Sequence, residues 1–223
     1  MQIALFDLDH TLIPFDSGGA FTKHMAALGV IDDSFGPRYL DYCRRYAEGR
    51  VDMREMHRFT VGALGAHPPA QLQLWLDDFA AAIAPRISQA ARALVKSHQD
   101  AGHACALVTA TTRFVAAGFG AALGLEVLAT EPERGADGRY TGEVVGEPCF
   151  REHKISHVQA WLERHGAGWS AVTRSWFYSD SINDLPLLQH VTDPVVVDPD
   201  PMLREEAGRR GWPVRSLREP VEG

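Results

Sequence analysis

The feature that most constrains this chain is its opening stretch, residues 1–12, MQIALFDLDHTL. Ile3, Ala4, Leu5 and Phe6 form a continuous apolar run that meets two aspartates one residue apart, Asp7 and Asp9, and then Thr11. A short run that is apolar throughout is the pattern of a strand buried on both faces, the strand of a parallel sheet covered by helices. Its polar end opens into a loop at the carboxyl edge of the sheet, where open α/β sheets bind ligands. Two carboxylates there repel each other unless a cation lies between them or a proton sits on one.

The rest of the chain extends this pattern. After a turn-rich loop at residues 14–19 (PFDSGG), the sequence to about Pro85 reads as four short helices and no convincing strand. They are expected at residues 20–28 and 38–48, from a cap at Asp52 to near Gly65, and from Pro68 and Pro69 onward, where Leu72, Leu76, Phe79 and Ile83 share one face. Pro85 starts a longer helix that ends at Gly102, and HACALV (103–108) is a second buried strand running into Thr109, Ala110, Thr111 and Thr112. A helix at 113–123, a strand at 125–129, a hairpin signal around Asp137 and Gly138 within 134–146, and an amphipathic helix at 153–165 follow. SWFYS (175–179) ends in Asp180, and PVVV (194–197) ends in Asp198. Strands alternating with helices of this length give an α/β fold with a parallel sheet and right-handed crossovers. If the first strand is central, Asp7 with Asp9, Thr109 and Asp180 converge on one site. The block at residues 14–85 is expected to be a small helical cap on a core of 1–13 and 86–223.

A chain of 223 residues, 45% hydrophobic and 23% charged, suits one large core with a small second unit. The net charge of -7 argues against a nucleic-acid partner, whose binding rests on Lys and Arg at phosphates. The start of the chain lacks the basic flank of a signal peptide, and no apolar run approaches the length of a membrane span. Cys43, Cys105 and Cys149, odd in number and widely spaced, read as reduced thiols of a cytoplasmic protein.

Four pieces in order, DLDHT, VTAT, Lys154 and SDSIND, resemble the haloacid dehalogenase superfamily of phosphatases, in its phosphoserine phosphatase-like branch. The resemblance covers nearly the whole chain. It implies a Rossmann-like, three-layer parallel-sheet core, an all-helical cap inserted after the first motif, and Mg²⁺-dependent hydrolysis of a small phosphorylated metabolite through an aspartyl phosphate.

On that resemblance Asp7 is the nucleophile and, with Asp180 and the backbone carbonyl of Asp9, holds Mg²⁺, a hard ion suited to oxygen ligands. Asp9 protonates the leaving alcohol and later deprotonates water. Lys154 and Thr109, with the amides of Leu8 and Ala110, neutralise the phosphoryl oxygens. Thr11 and Asn183 are further substrate- or phosphate-binding candidates, and Asp184 supports the site. Asp16, nine residues after Asp7, occupies the place where phosphoserine phosphatases carry a glutamate that reads the substrate amine; an Asx-turn with Gly18 is the competing reading. The second motif is Thr109-Ala110-Thr111 where phosphoserine phosphatases usually have Ser-Gly-Gly. Phosphoserine, histidinol phosphate and phosphorylated amino alcohols are therefore all candidate substrates. The alternatives are a phosphotransferase, a dehalogenase, which Asp9 speaks against, and a non-catalytic phosphate-accepting module, which the inserted helices speak against. Oligomeric state has no signature in the sequence.

Overall fold

Side chains of the first strand, β1 (Gln2–Phe6), alternate between two faces, and its apolar run supplies both: Ala4 and Phe6 join one hydrophobic cluster, Ile3 and Leu5 another. A computed structural model, which describes residues 1–32 and 34–218, sets this strand in a seven-stranded sheet. The other strands are β2 (Ala104–Thr112), β3 (Glu126–Arg134), β4 (Tyr140–Val145), β5 (Arg174–Ser179), β6 (Asp193–Val197) and β7 (Val214–Arg215). Their order is β4-β3-β2-β1-β5-β6-β7, so β1 is central. It pairs in parallel with β2, Ile3 opposite Ala104, and with β5, Gln2 opposite Arg174. The β3–β4 pair is antiparallel.

Helices α5 (Gln89–Asp100) and α6 (Arg113–Leu123) cover one face through Ala91, Val95, Val115 and Phe119. Helices α7 (His153–Arg164), α8 (Leu185–His190) and α9 (Pro201–Arg210) cover the other through Val158, Leu162, Leu187 and Leu203. The result is the expected three-layer, Rossmann-like α/β fold. No helix among the described residues is long and apolar enough to cross a membrane.

Between β1 and α5 lie four helices, α1 (Ser17–Ala27), α2 (Phe35–Ala47), α3 (Met53–Gly62) and α4 (Pro69–Ile83). The stripe Leu72, Leu76, Phe79 and Ile83 is buried as its spacing predicts. It belongs to the same cluster as Phe119 of α6 and Phe21 and Met25 of α1, so the block shares the core of the sheet layer. Helix α3 rests on the hairpin. Arg58 donates to Glu143 at 2.7 Å, and a Cβ on Gly142 (φ +92°) would come within 3.2 Å of the Gly62 Cα.

Several boundaries differ from the sequence reading. Helix α1 starts at Ser17, three residues early, because Asp16 caps it by accepting from the Gly19 amide. Gly18 and Gly19 are therefore helical, and Gly18 gives room to a ring: a Cβ there would lie 2.1 Å from the Tyr39 hydroxyl. Strand β2 continues to Thr112, and β3 runs through Pro132 to Arg134 as the first arm of the hairpin, with a register shift after Pro132. Pro85 sits in a 3₁₀ turn, and Ser88 caps α5. Residues 219–223, included in the expected core, lie outside the described residues.

Candidate active site

The carboxyl ends of β1, β2 and β5 meet in one place because β1 lies between the other two. Beyond β1 the Asp7 amide still donates to the Tyr178 carbonyl at 2.9 Å, and then the chain coils. The amides of Thr11, Leu12 and Ile13 converge on the carbonyl of Leu8, and His10 takes a left-handed conformation with φ +57°. This turn aims Asp7 and Asp9 in different directions.

Asp7 faces a buried ammonium. Lys154 in the first turn of α7 is fully buried, and its Nζ donates to Asp7 Oδ1 at 2.8 Å and to Asp184 Oδ2 at 2.7 Å. Ser179 Oγ also donates to Asp184 Oδ2, at 2.7 Å, whereas the buried Asp184 Oδ1 has no partner among the described residues. Thr11 Oγ1 donates to Asp180 Oδ1 at 3.2 Å. Burial works against the Lys154 charge, but the Asp184 and Asp7 carboxylates outweigh it and hold its pKa well above that of an ordinary lysine.

One cation does not balance three carboxylates. Burial first, and then Asp7 and Asp184, push the Asp180 carboxyl up to about 9. Burial also pushes Asp7 up to about 7; Lys154 opposes this, while Asp184 and Asp9 add to it. An all-oxygen set with surplus negative charge and an orphaned buried carboxylate oxygen fits a hard divalent cation. Among the described residues no three His, Cys, Asp or Glu side chains converge as a metal cluster. A cation here must therefore rely on two carboxylates, backbone oxygen, water and ligand oxygens, which is how Mg²⁺ is commonly held.

Asp9 faces away from the lysine, toward α1. Its Oδ1 accepts from the Ser17 amide at 2.6 Å and its Oδ2 from Thr111 Oγ1 at 2.7 Å. Burial and then the Asp16 charge push it up to about 6, against the bonds from Ser17 and Thr111. Thr109 is buried, with Oγ1 accepting from the Thr111 amide at 3.2 Å, which leaves its own proton free to donate.

Asp7, Asp9, Thr109, Ala110 and Asp180 form the floor of a cavity of about 810 Å³. Its roof comes from the four-helix block, including Phe35, Tyr39, Tyr46, Met53, Met56 and His57. Asp16 lines it too, but Oδ1 is engaged by the Tyr39 hydroxyl at 2.6 Å and by the Gly19 amide; it is a helix cap instead of the Asx-turn with Gly18. Lys154 and Asp184 lie directly behind the floor, and Leu8 is buried beneath it.

Two of the expected substrate- or phosphate-binding residues have other partners here. Thr11 was expected on the phosphate, but its hydroxyl holds Asp180. Asn183 was expected there too, but Nδ2 donates to the Tyr46 carbonyl at 3.1 Å and Oδ1 accepts from Arg151 Nε at 3.2 Å, which turns it toward α2. The sequence reading also missed residues. Ser17 and Thr111 fix Asp9, and Asp200 accepts from the Ile182 amide at 2.7 Å to brace the loop that carries Asp180. Asp200, three residues past the end of β6, carried the one available signal, an acid near a strand end.

A family model described as haloacid dehalogenase-like hydrolase matches residues 4–189. A histidinol-phosphatase from Neisseria meningitidis serogroup C is 36% identical over 220 residues, 97% of this chain and 99% of that protein. A phosphoserine phosphatase from Mycobacterium tuberculosis is 31% identical over 96% of this chain and 70% of its own length. Among solved structures, a protein with unknown function from Bordetella pertussis superposes with a TM-score of 0.90 at 42% identity, over 97% of this chain and 99% of that one.

Proposed function

Because the chain belongs to the haloacid dehalogenase-like hydrolases and is a phosphatase, we propose that it hydrolyses a small amine-bearing phosphomonoester, histidinol phosphate before phosphoserine. The observation that carries the chemistry is the buried Lys154 held between Asp7 and Asp184 behind a floor that ends in Asp9 and Thr109. The substrate preference rests on likeness to the Neisseria meningitidis histidinol-phosphatase along nearly the full length of both chains.

A phosphomonoester dianion repels an anionic nucleophile, so charge must be neutralised before a carboxylate can attack. Lys154 fixes one oxygen of Asp7, which leaves Oδ2 to attack phosphorus as the bond to the leaving oxygen breaks. Asp9, whose raised pKa keeps a proton accessible near neutrality, gives that proton to the leaving alcohol. The aspartyl phosphate on Asp7 is then attacked by water, Asp9 takes the water proton, and inorganic phosphate leaves with Asp7 restored. The Thr109 hydroxyl and the Ala110 amide donate to the equatorial oxygens throughout. Asp7, Asp180 and the Asp9 carbonyl would hold Mg²⁺, which supplies positive charge at the phosphoryl group when bound. Residues 14–85 act as the cap over this site, on a core formed by 1–13 and 86–223.

The test is phosphate release from histidinol phosphate, phosphoserine and p-nitrophenyl phosphate, with Mg²⁺ and with EDTA. Histidinol phosphate is expected to be the best substrate, EDTA to abolish turnover, and Asp7→Asn to lower kcat by more than ~10³-fold. Wild-type turnover in Asp7→Asn would overturn the mechanism; a preference for phosphoserine would overturn the substrate.

A further inference from the structure

Helix α2 ends against the catalytic floor, and the way it ends is unusual. The last carbonyls of a helix lack intrahelical partners and take capping groups or water. Here a side chain from the sheet layer joins the Gly49 amide on a carbonyl of the last turn, and a second takes a carbonyl just past the helix. Asn183 Nδ2 donates to the Tyr46 carbonyl at 3.1 Å, and Arg151 donates to the Gly49 carbonyl at 2.7 Å while its Nε holds Asn183 Oδ1. Arg151 carries a left-handed backbone, φ +52°, the strained conformation expected where surrounding contacts dictate the geometry. The clamp fixes Tyr46, whose ring lies 5.3 Å from that of Phe150 and packs on the small cluster that contains Ala110, the neighbour of Thr109.

The Tyr46 side chain lines the same cavity as Asp7 and Asp180, and its hydroxyl makes no hydrogen bond within the described residues. We propose that Tyr46 is a further catalytic residue, lent by the helical block, whose hydroxyl donates to an oxygen of the transferring phosphoryl group, with Asn183 and Arg151 as the positioning pair. Burial first, and then the charges of Asp184, Asp7 and Asp180, raise the phenol well above an ordinary tyrosine, against the opposing charge of Lys154, so that it stands as a donor. The assignment rests on the phosphatase reading and adds a donor from the roof to those of the floor. It also gives Asn183 a task at the site without contact with phosphate.

A donor to a charged oxygen in a dry site contributes about 10- to 100-fold. Wild-type turnover of p-nitrophenyl phosphate, and its loss in Asp7→Asn, establish the phosphatase reading first, so that failure of the two ideas is distinguishable. Tyr46→Phe, which keeps the ring, is then expected to lower kcat/KM by about 10- to 100-fold and to weaken competitive inhibition by inorganic phosphate at least threefold, with an unchanged thermal midpoint. Arg151→Ala is expected to lower kcat/KM in the wild-type background and to add less than twofold to the loss in Tyr46→Phe. Activity of Tyr46→Phe within twofold of wild type would overturn the catalytic assignment, and full additivity with Arg151→Ala would overturn the clamp.

Discussion

The floor and the roof of the cavity are built by opposite means. The floor is three adjacent strand ends whose charged groups are buried or half-buried, with Lys154 behind them tying Asp7 to Asp184 at 2.7–2.8 Å. The roof is a set of single residues from separate helices, mostly aromatic or sulfur-bearing, and at its mouth Leu40 of α2 and Met202 of α9 are 67% and 61% exposed. Rigid, mutually compensated charge suits an invariant step such as moving a phosphoryl group. Loosely held apolar surface suits a variable one, choosing the alcohol that carries it. The same contrast separates what each region does when damaged.

The largest expected effect is on the floor. Lys154→Met leaves Asp7 and Asp184 buried without their cation, and should cost about 3–5 kcal/mol in urea unfolding without added metal. A loss under 1 kcal/mol would mean that the floor is not held together by charge, and the distinction from the roof would fail.

The roof has a titratable member of its own. His57 donates through Nδ1 to the Met53 carbonyl at 3.0 Å, contacts Thr112 through Nε2, and is pushed down to about 4 by burial. An unfolded histidine takes its proton near 6.5, so the native state binds fewer protons between 6.5 and 4. Its contribution is complete above 6.5 and is lost as pH falls through that window, up to about 3 kcal/mol. Urea midpoints at pH 7.5 and 4.5 should converge in His57→Gln relative to wild type; an equal acid shift in both would show that His57 is not the group responsible.

The smallest effect sharpens the comparison. Tyr39→Phe removes one donor to Asp16 and should cost about 1 kcal/mol. KM for an amine-bearing ester should move by less than about fivefold with kcat unchanged, the pattern of a residue that only binds. A kcat loss above tenfold would assign Tyr39 to the chemistry of the floor.

Legibility in the sequence follows the same line. The floor was readable because Asp7 and Asp9, Thr109 with Ala110, and Asp180 with Asp184 are neighbours in sequence at the ends of apolar strands, where residue type and position carry the chemistry together. The three-layer fold was readable from the same runs. The roof was not, because Tyr46 and His57 are isolated in helices, as Arg151 beneath them is in a loop, and acquire meaning only from packing. Local errors have local causes. Asp16 and Ser17 looked like loop because two glycines follow, yet those glycines are helical to admit the Tyr39 ring. Pro132 hid the continuation of β3, which tolerates it next to a register shift. Asn183 was read with the acids around it, but its amide bonds are spent on α2 and Arg151.

The central position of β1 has one more consequence, for how the molecule comes to exist. Both neighbours of this strand are remote in sequence: Ile3 meets Ala104, and Gln2 meets Arg174. No local hairpin can hold it, and closing such loops is the slow part of forming a sheet. The strand that leads into Asp7 is made before either neighbour and can be locked in only after residues far downstream have emerged. A nascent chain halted before β5 carries Asp7 but neither Asp180 nor Asp184, so activity should arrive abruptly, and late, in synthesis.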